Sequence, residues 1–358
     1  MSLVLGIDPG TISIDICGLD DGRVVLDRTL PTADALADPA ALIAMLEEAG
    51  PVDLIAGPSG YGLPLIAAGE VTEEMLRLAY LAAAGEPGGI GGLRSLARAL
   101  ASSSLPVVFT PGVIHLASVP AHRKVNRVDM GTAEKVCAAA LAISEQAERR
   151  GCAVSQVSLV LVELGGAFTA ALAVDGGRIV DGVGGTSGPL GMRAAGALDG
   201  EVAFLAGAVP KAMLFAGGVS TVRGESATTP ERFAEPSTER ERIAWDAYVE
   251  GVAKAVAMLM VAVPRPYEIV LSGRMAHVET VRRELTRRLA DRAPVCTLRG
   301  FAAIAKEGAQ GAALIADGLM HGAHAALVQT MGLADAHGTV LDHLYVISPR
   351  EAQRRLGL

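Results

Sequence analysis

Two acidic residues of this 358-residue chain sit in matching surroundings. Asp8 ends an apolar run and is followed by Pro9 and Gly10; Glu163 ends another and is followed by Leu164 and Gly165. A carboxylate at a strand end, followed by a glycine-containing turn, suits the holding of a polyphosphate. The turn offers backbone N–H groups to phosphate oxygens, and the carboxylate takes the divalent cation that must lie between it and them. Thr11, Ser13 and Thr169 add hydroxyl donors, and Gly166 adds a second small residue to the later turn. One such acid reads as a turn cap. Two in equivalent places read as a magnesium–nucleotide clamp, with Asp8 and Glu163 as metal ligands.

The elements that must position these groups are duplicated. Displacing the chain by 155 positions lays Asp8 on Glu163, Gly10 on Gly165, Asp20 on Asp175, Gly22 on Gly177, Arg23 on Arg178 and Val25 on Val180. Each copy reads as a buried strand, an acid, a glycine turn, a second strand, a tight Asp-Gly hairpin and a third strand. Between the copies, Val52 to Ala56 reads as a short strand running into Gly57-Pro58-Ser59-Gly60-Tyr61-Gly62. A glycine-rich loop at a strand end is a usual substrate loop, with Ser59 and Tyr61 as candidate contacts, and equally an ordinary surface turn. The run His122 to Arg127 is the densest basic stretch. Its Arg123 and Lys124 would neutralise a transferring phosphoryl group if they face a cleft, or form a solvated face if they do not. Asp129 opens an alanine-rich helix reaching about Gln146, either as its N-cap or as a general base toward a hydroxyl acceptor.

These motifs resemble those of the acetate and sugar kinase, heat-shock chaperone and actin superfamily. Asp8-Pro9-Gly10-Thr11 resembles its first phosphate motif and Glu163-Leu164-Gly165-Gly166 its second. Asp129 to Gln146 is similar to the first connecting helix, and the strand Tyr267 to Leu271 with Ser272-Gly273-Arg274 to the adenosine motif. Lys306-Glu307-Gly308 opens a stretch of small residues to Leu314 that resembles the second connecting helix. Ala197-Leu198-Asp199-Gly200-Glu201 looks like a stretch lying near the acceptor in acyl-phosphate-forming kinases, which makes Asp199 and Glu201 candidate substrate residues; a turn before a buried helix is the other reading. Within the superfamily the nearest match is a family of predicted butyrate kinases. The resemblance implies two duplicated ribonuclease H-like (actin-like ATPase) α/β halves with a nucleotide cleft between them, and ATP and Mg2+ as cofactors. It implies a boundary near residue 127, with 1–127 as the first half, 128–320 as the second, and 321–358 packing back on the first. Three departures stand out. Met130 occupies the place of a histidine in acetate kinases, Asp15 stands where those enzymes tend to keep a basic residue, and Asp8 is the sugar-kinase choice where acetate kinases use asparagine.

Composition bounds the rest. Hydrophobic residues make up 51% and charged residues 20%, which excludes a disordered chain. Aromatics at 3% and a net charge of −8 argue against nucleic acid or an anionic membrane as partner. No apolar run reaches the roughly 18 to 20 residues of a spanning helix, and the N-terminus reads as a first strand, so the expected location is the cytoplasm. Many small apolar residues make a homo-oligomer conceivable. Lys211 to Ser220 reads as an apolar strand, 223–242 as a mobile insertion, and Gly85 to Gly92 as a flexible connection. Two functions fit: an ATP-dependent phosphotransferase acting on a small acceptor such as a short-chain carboxylate, or an ATP-driven switch that phosphorylates nothing small. A dinucleotide oxidoreductase does not fit, because no G-x-G-x-x-G follows the first strand.

Overall fold

The computed structural model describes residues 2–10, 12–83 and 92–358, so Thr11 and most of the Gly85 to Gly92 connection lie outside the described residues. The first sheet holds β1 (Leu3–Pro9), β2 (Ser13–Asp20), β3 (Arg23–Pro31), β4 (Leu54–Leu63), β5 (Ile66–Ala67) and β6 (Val107–Pro111), in the order β3-β2-β1-β4-β6-β5. The second holds β7 (Ser158–Leu164), β8 (Thr169–Asp175), β9 (Arg178–Val183), β10 (Glu268–Ser272) and β11 (Val295–Thr297), in the order β11-β10-β7-β8-β9. Each sheet begins as an antiparallel three-stranded meander and continues through parallel strands on its other side. β1 and β7 are central and covered on both faces, which is why they read as nearly unbroken apolar runs.

The duplication extends to single hydrogen bonds. The Gly10 amide donates to the Ser13 carbonyl at 2.9 Å, and the Gly165 amide to the Phe168 carbonyl at 3.0 Å. Asp8 lies opposite Asp15 across β1 and β2, as Glu163 lies opposite Ala170 across β7 and β8. The outer hairpins match as well. Asp21 and Gly22 have φ of 46° and 76°, and Gly176 and Gly177 have 58° and 71°, the successive left-handed residues that a right-twisted two-residue hairpin requires.

The two halves are joined by a shared core in addition to the clusters on their outer faces. The first connecting helix, Ala133–Arg150, and the second, Glu307–Leu319, lie between the two sheets. One apolar cluster surrounds them, drawing Val4 and Leu19 from the first sheet and Leu161 and Leu172 from the second. Two further clusters fill the outer faces, one around Phe109 and one around Tyr248. The second connecting helix, which a boundary at 127 assigns to the second half, packs against β1, β2 and β4. A buried alanine- and glycine-rich helix has no polar face, so it must be covered all round, and the first sheet, the first connecting helix and the helix Ala325–Met331 do that.

The tail contacts both halves, its helix Ala325–Met331 packing on the first connecting helix and β9 while later residues bond the first half. Asn126 donates to the His343 carbonyl and its side chain accepts from the amides of Tyr345 and Val346. His115 bonds the carbonyls of His337 and Gly338. Two sequence expectations change. The strand expected at Val52 to Ala56 runs on through the glycine-rich loop as β4, because the loop pairs with β6 across a register shift. The apolar stretch Lys211 to Ser220 is a 3-10 turn at Lys211–Phe215 followed by the start of a helix at Val219–Arg223. The segment 223–242 makes buried contacts with the second half. Phe233 is fully buried, and the buried Arg223 guanidinium pairs with Glu241 at 2.8 Å while Glu241 also accepts from Ser237 and Thr238. Among the described residues no helix is long and apolar enough to cross a membrane.

Asp27 on β3 accepts from the amides of Ala303, Ile304 and Ala305, fastening the approach to the second connecting helix onto the first sheet. Partial burial works against the charged carboxylate, but those three donors outweigh it and lower its pKa. A lowered folded-state pKa gives stability that is present above the ordinary carboxylate range and lost as pH falls through the folded value. Asp27→Asn is therefore expected to cost about 1–2 kcal/mol at pH 7 and much less at pH 3, read from urea midpoints at both.

Candidate active site

The ends of β1, β7 and β10 and the starts of both connecting helices open onto one cleft of about 540 Å3. Asp8, Gly10 and Ser13 line it from the first half, and Glu163, Gly165 and Gly166 from the second. Ser272, Gly273 and Arg274 close a third side. The two turns nearly touch, since a Cβ on Gly166 would lie 3.9 Å from the Ile12 side chain. The duplicated acids thus line one pocket. One detail differs from expectation: the Gly10 and Gly165 amides close their own turns, so any phosphate must be met by the other N–H groups of these loops.

Two residues that sequence reasoning passed over dominate the electrostatics. The Lys135 ammonium lies 2.6 Å from Glu163 Oε2 and 3.0 Å from Glu134 Oε1. Burial alone would lower the Lys135 pKa, but the two carboxylates raise it, so it is charged throughout the physiological range. Burial likewise opposes charge on Glu134, yet Lys135 and Thr132 hold its pKa below the usual range. Glu163 is pushed up by burial, with Lys135 resisting. Among the described residues Asp8 has no ion-pair partner within 4 Å. Burial and then Glu134 push its pKa up to about 7, against the weaker pull of Lys135 and Lys306. The signal for this cluster is visible in the chain: Glu134-Lys135 is the charged pair in the first turn of a helix that is apolar and buried for the next several residues.

The lining carries four carboxylates (Asp8, Glu134, Glu163, Glu307) and four cations (Lys135, Lys211, Arg274, Lys306). Among the described residues the formal charges of the lining cancel when every carboxylate is ionised, and a triphosphate brings several negative charges. The donor set fits an added divalent cation that rides on phosphate. Asp8 is a buried, under-neutralised carboxylate, and Mg2+ needs only one or two protein carboxylates when phosphates and waters complete its octahedron. It does not fit a cation caged by protein alone, since among the described residues no group of three or more His, Cys, Asp or Glu could hold one. With Lys135 already on Glu163, Asp8 is the stronger candidate ligand of the two.

Other expected site residues lie elsewhere. Arg123 donates to the Val180 carbonyl at 2.7 Å and pairs with Asp181, fastening the basic run to β9. The buried Lys124 donates to the Leu116 carbonyl. Ser59 is fully buried, donating to the Thr110 carbonyl and accepting from the Leu63 amide, while its neighbour Tyr61 faces the cleft. Thr169 is fully buried and is not part of the cleft lining. Asp199 caps the exposed helix Gly200–Ala206 through the Glu201 amide, and neither residue reaches the cleft lining. Asp129 is sealed behind the cleft, accepting from the Thr186 amide and hydroxyl and the Gly131 amide; burial raises its pKa against those donors. The apolar and aromatic part of the lining includes Tyr61, Tyr80, Leu93 and Phe168, and Lys211 donates to the Tyr80 carbonyl.

A family model described as a protein of unknown function (DUF1464) matches residues 6–346. No curated protein matches the sequence. Among solved structures the chain is similar to a propionate kinase from Francisella tularensis, with a TM-score of 0.63 at 12% identity over 87% of this chain and 99% of that one. It is also similar to acetate kinases from Porphyromonas gingivalis (TM-score 0.61, 14% identity, 87% and 98% covered) and Entamoeba histolytica (0.60, 14%, 83% and 95%). These likenesses establish the fold: two duplicated actin-like ATPase halves.

Proposed function

We propose, from the premise that the chain belongs to the DUF1464 family of proteins of unknown function, that it is an ATP-dependent phosphotransferase acting on a small acceptor, with a short-chain carboxylate as the favoured class. The observation that carries this reading is the meeting of two equivalent acid–glycine turns in one cleft, one with a buried carboxylate that nearby lysines only partly offset. Asp8 would hold magnesium and Glu163 would orient Lys135 beside it. Magnesium, when bound, supplies charge neutralisation at the phosphates. The residues of the chain position the triphosphate along the turns, exclude water with the aromatic wall, and present the acceptor in line.

The carboxylate acceptor is favoured over a sugar by what borders the cleft. A hydroxyl must lose its proton on attack; Asp129, the carboxylate expected to take it, is not in the lining, and of those that are, Asp8 is given to magnesium in this reading while Glu134 and Glu163 hold Lys135. A carboxylate oxygen needs no base. It bonds to the γ-phosphorus as the bond to the bridging oxygen breaks, giving an acyl phosphate and ADP. The wall of Tyr61, Tyr80, Leu93 and Phe168 suits a short apolar chain better than a ring of hydroxyls.

The burial of Met130, in the place of an acetate-kinase histidine, favours a second reading, an ATP-driven switch, because methionine neither donates a hydrogen bond nor carries charge. Incubation with labelled ATP, magnesium and a panel of short acids and sugars separates the two. Label should pass to a carboxylate of a few carbons and not to sugars. Acceptor-independent release of phosphate, with nothing labelled, would leave the switch standing and remove the phosphotransferase.

A further inference from the structure

The second connecting helix delivers a cation to the first phosphate turn. Lys306 immediately precedes that helix, and its ammonium lies 3.0 Å from Asp15 Oδ2 and hydrogen bonds the Ser13 hydroxyl. Ser13 in turn donates to the same Asp15 oxygen at 2.9 Å. The carboxylate is 2% exposed and the lysine side chain 49% exposed, so the pair joins the wall of the cleft to its open space. A Cβ on Gly10 would stand 3.8 Å from the ammonium, which places it over the turn itself.

Asp15 is directly opposite Asp8 in the pairing of β1 and β2. Cross-strand partners share a face about 5 Å apart, where like charges are unfavourable. A second buried carboxylate beside a polyphosphate site is a liability unless it is neutralised, and Lys306 does that from 291 positions away in sequence (306 − 15). The same ammonium can reach an oxygen of a phosphate lying on the turn by rotating its flexible stem.

We infer that Lys306 is the cation that binds the terminal phosphates at the first turn, and that Asp15 holds it there in the nucleotide-free chain and yields it when phosphate arrives. The assignment rests on the nucleotide reading above. It explains how Asp15 is tolerated on a strand leaving a phosphate turn: the charge missing from the hairpin comes from the helix that packs over it.

Calorimetric titration of the full chain with ATP, and separately with adenosine, in magnesium buffer tests it. Lys306→Met should weaken ATP binding about tenfold, the loss of one charge-assisted contact, and leave adenosine binding unchanged. Lys306→Arg should restore most of the ATP affinity. Asp15→Asn removes a competitor and a repelling charge, so it should tighten ATP about fivefold, again with adenosine unaffected. Wild-type ATP affinity in Lys306→Met would overturn the inference alone, as would an equal loss for ATP and adenosine. Weaker ATP binding in Asp15→Asn would overturn the holding role. A wild-type chain that binds neither ligand would overturn the nucleotide reading itself, and this inference with it.

Discussion

Asp8→Asn should make the nucleotide-free protein more stable at pH 8 while reducing its affinity for magnesium–ATP by ~100-fold. The two effects share one cause. Burial, and then Glu134, raise the Asp8 pKa to about 7, so the folded chain holds that proton more tightly than the unfolded one does. A raised carboxyl pKa means that ionisation opposes folding. The opposition is absent below the ordinary value of 3.8, grows as pH rises toward 7 and is constant above it. Its ceiling is about 4 kcal/mol by linkage. Asparagine keeps the size and removes the charge, so the gain in stability should be larger at pH 8 than at pH 5. Wild-type affinity for the nucleotide also should fall as pH drops below about 7, because a protonated Asp8 no longer attracts a cation. Thermal melts at both pH values, with and without magnesium–ATP, measure all of this. An Asp8→Asn chain that binds magnesium–ATP as the parent does would remove Asp8 from the site, whatever its stability.

The second large effect concerns the helix crossing. Gly311→Ala is expected to cost several kcal/mol, roughly 4 or more, and to broaden or split the unfolding transition. A Cβ at Gly311 would stand 1.8 Å from the Cys137 carbonyl oxygen, and one at Gly6 would stand 2.1 Å from the Ala309 carbonyl oxygen. The second connecting helix is therefore gripped by backbone on two sides, by β1 and by the first connecting helix. Backbone cannot swing aside as the end of a side chain can, so the helices must separate, and the cluster that unites the two sheets separates with them. Gly69→Ala is the control, since a Cβ there meets nothing within 4 Å and should leave the urea midpoint unchanged. Equal midpoints for the two variants would mean that the helices do not cross at Gly311.

Much of the cleft lining was legible because it is built twice. Asp8, Gly10, Glu163 and Gly165 follow from a single displacement, and the bond that closes each turn, Gly10 to Ser13 and Gly165 to Phe168, reproduces it. Strand-ending motifs such as Ser272-Gly273-Arg274 were legible too, because position along a strand decides which end of the sheet a residue occupies. Arg123, Lys124 and Asp129 show where this reasoning stops. Their chain neighbours placed them next to a helix that does line the cleft, but the side toward which each points depends on what packs against it: β9 for Arg123, the Leu116 carbonyl for Lys124, the Thr186 loop for Asp129.

From the sequence alone one could determine the duplicated meanders, the acid–glycine turns and the two small-residue helices, because each is a local pattern of alternation, turn chemistry or residue size. Only the tertiary structure decided that both helices share one core between the sheets, that Lys135 neutralises Glu163, and that Lys306 sits on Asp15. Charges that meet from positions far apart in the chain leave no periodic trace. Their pairing is set by which backbones can approach closely enough to pack, and that is a property of the assembled layers.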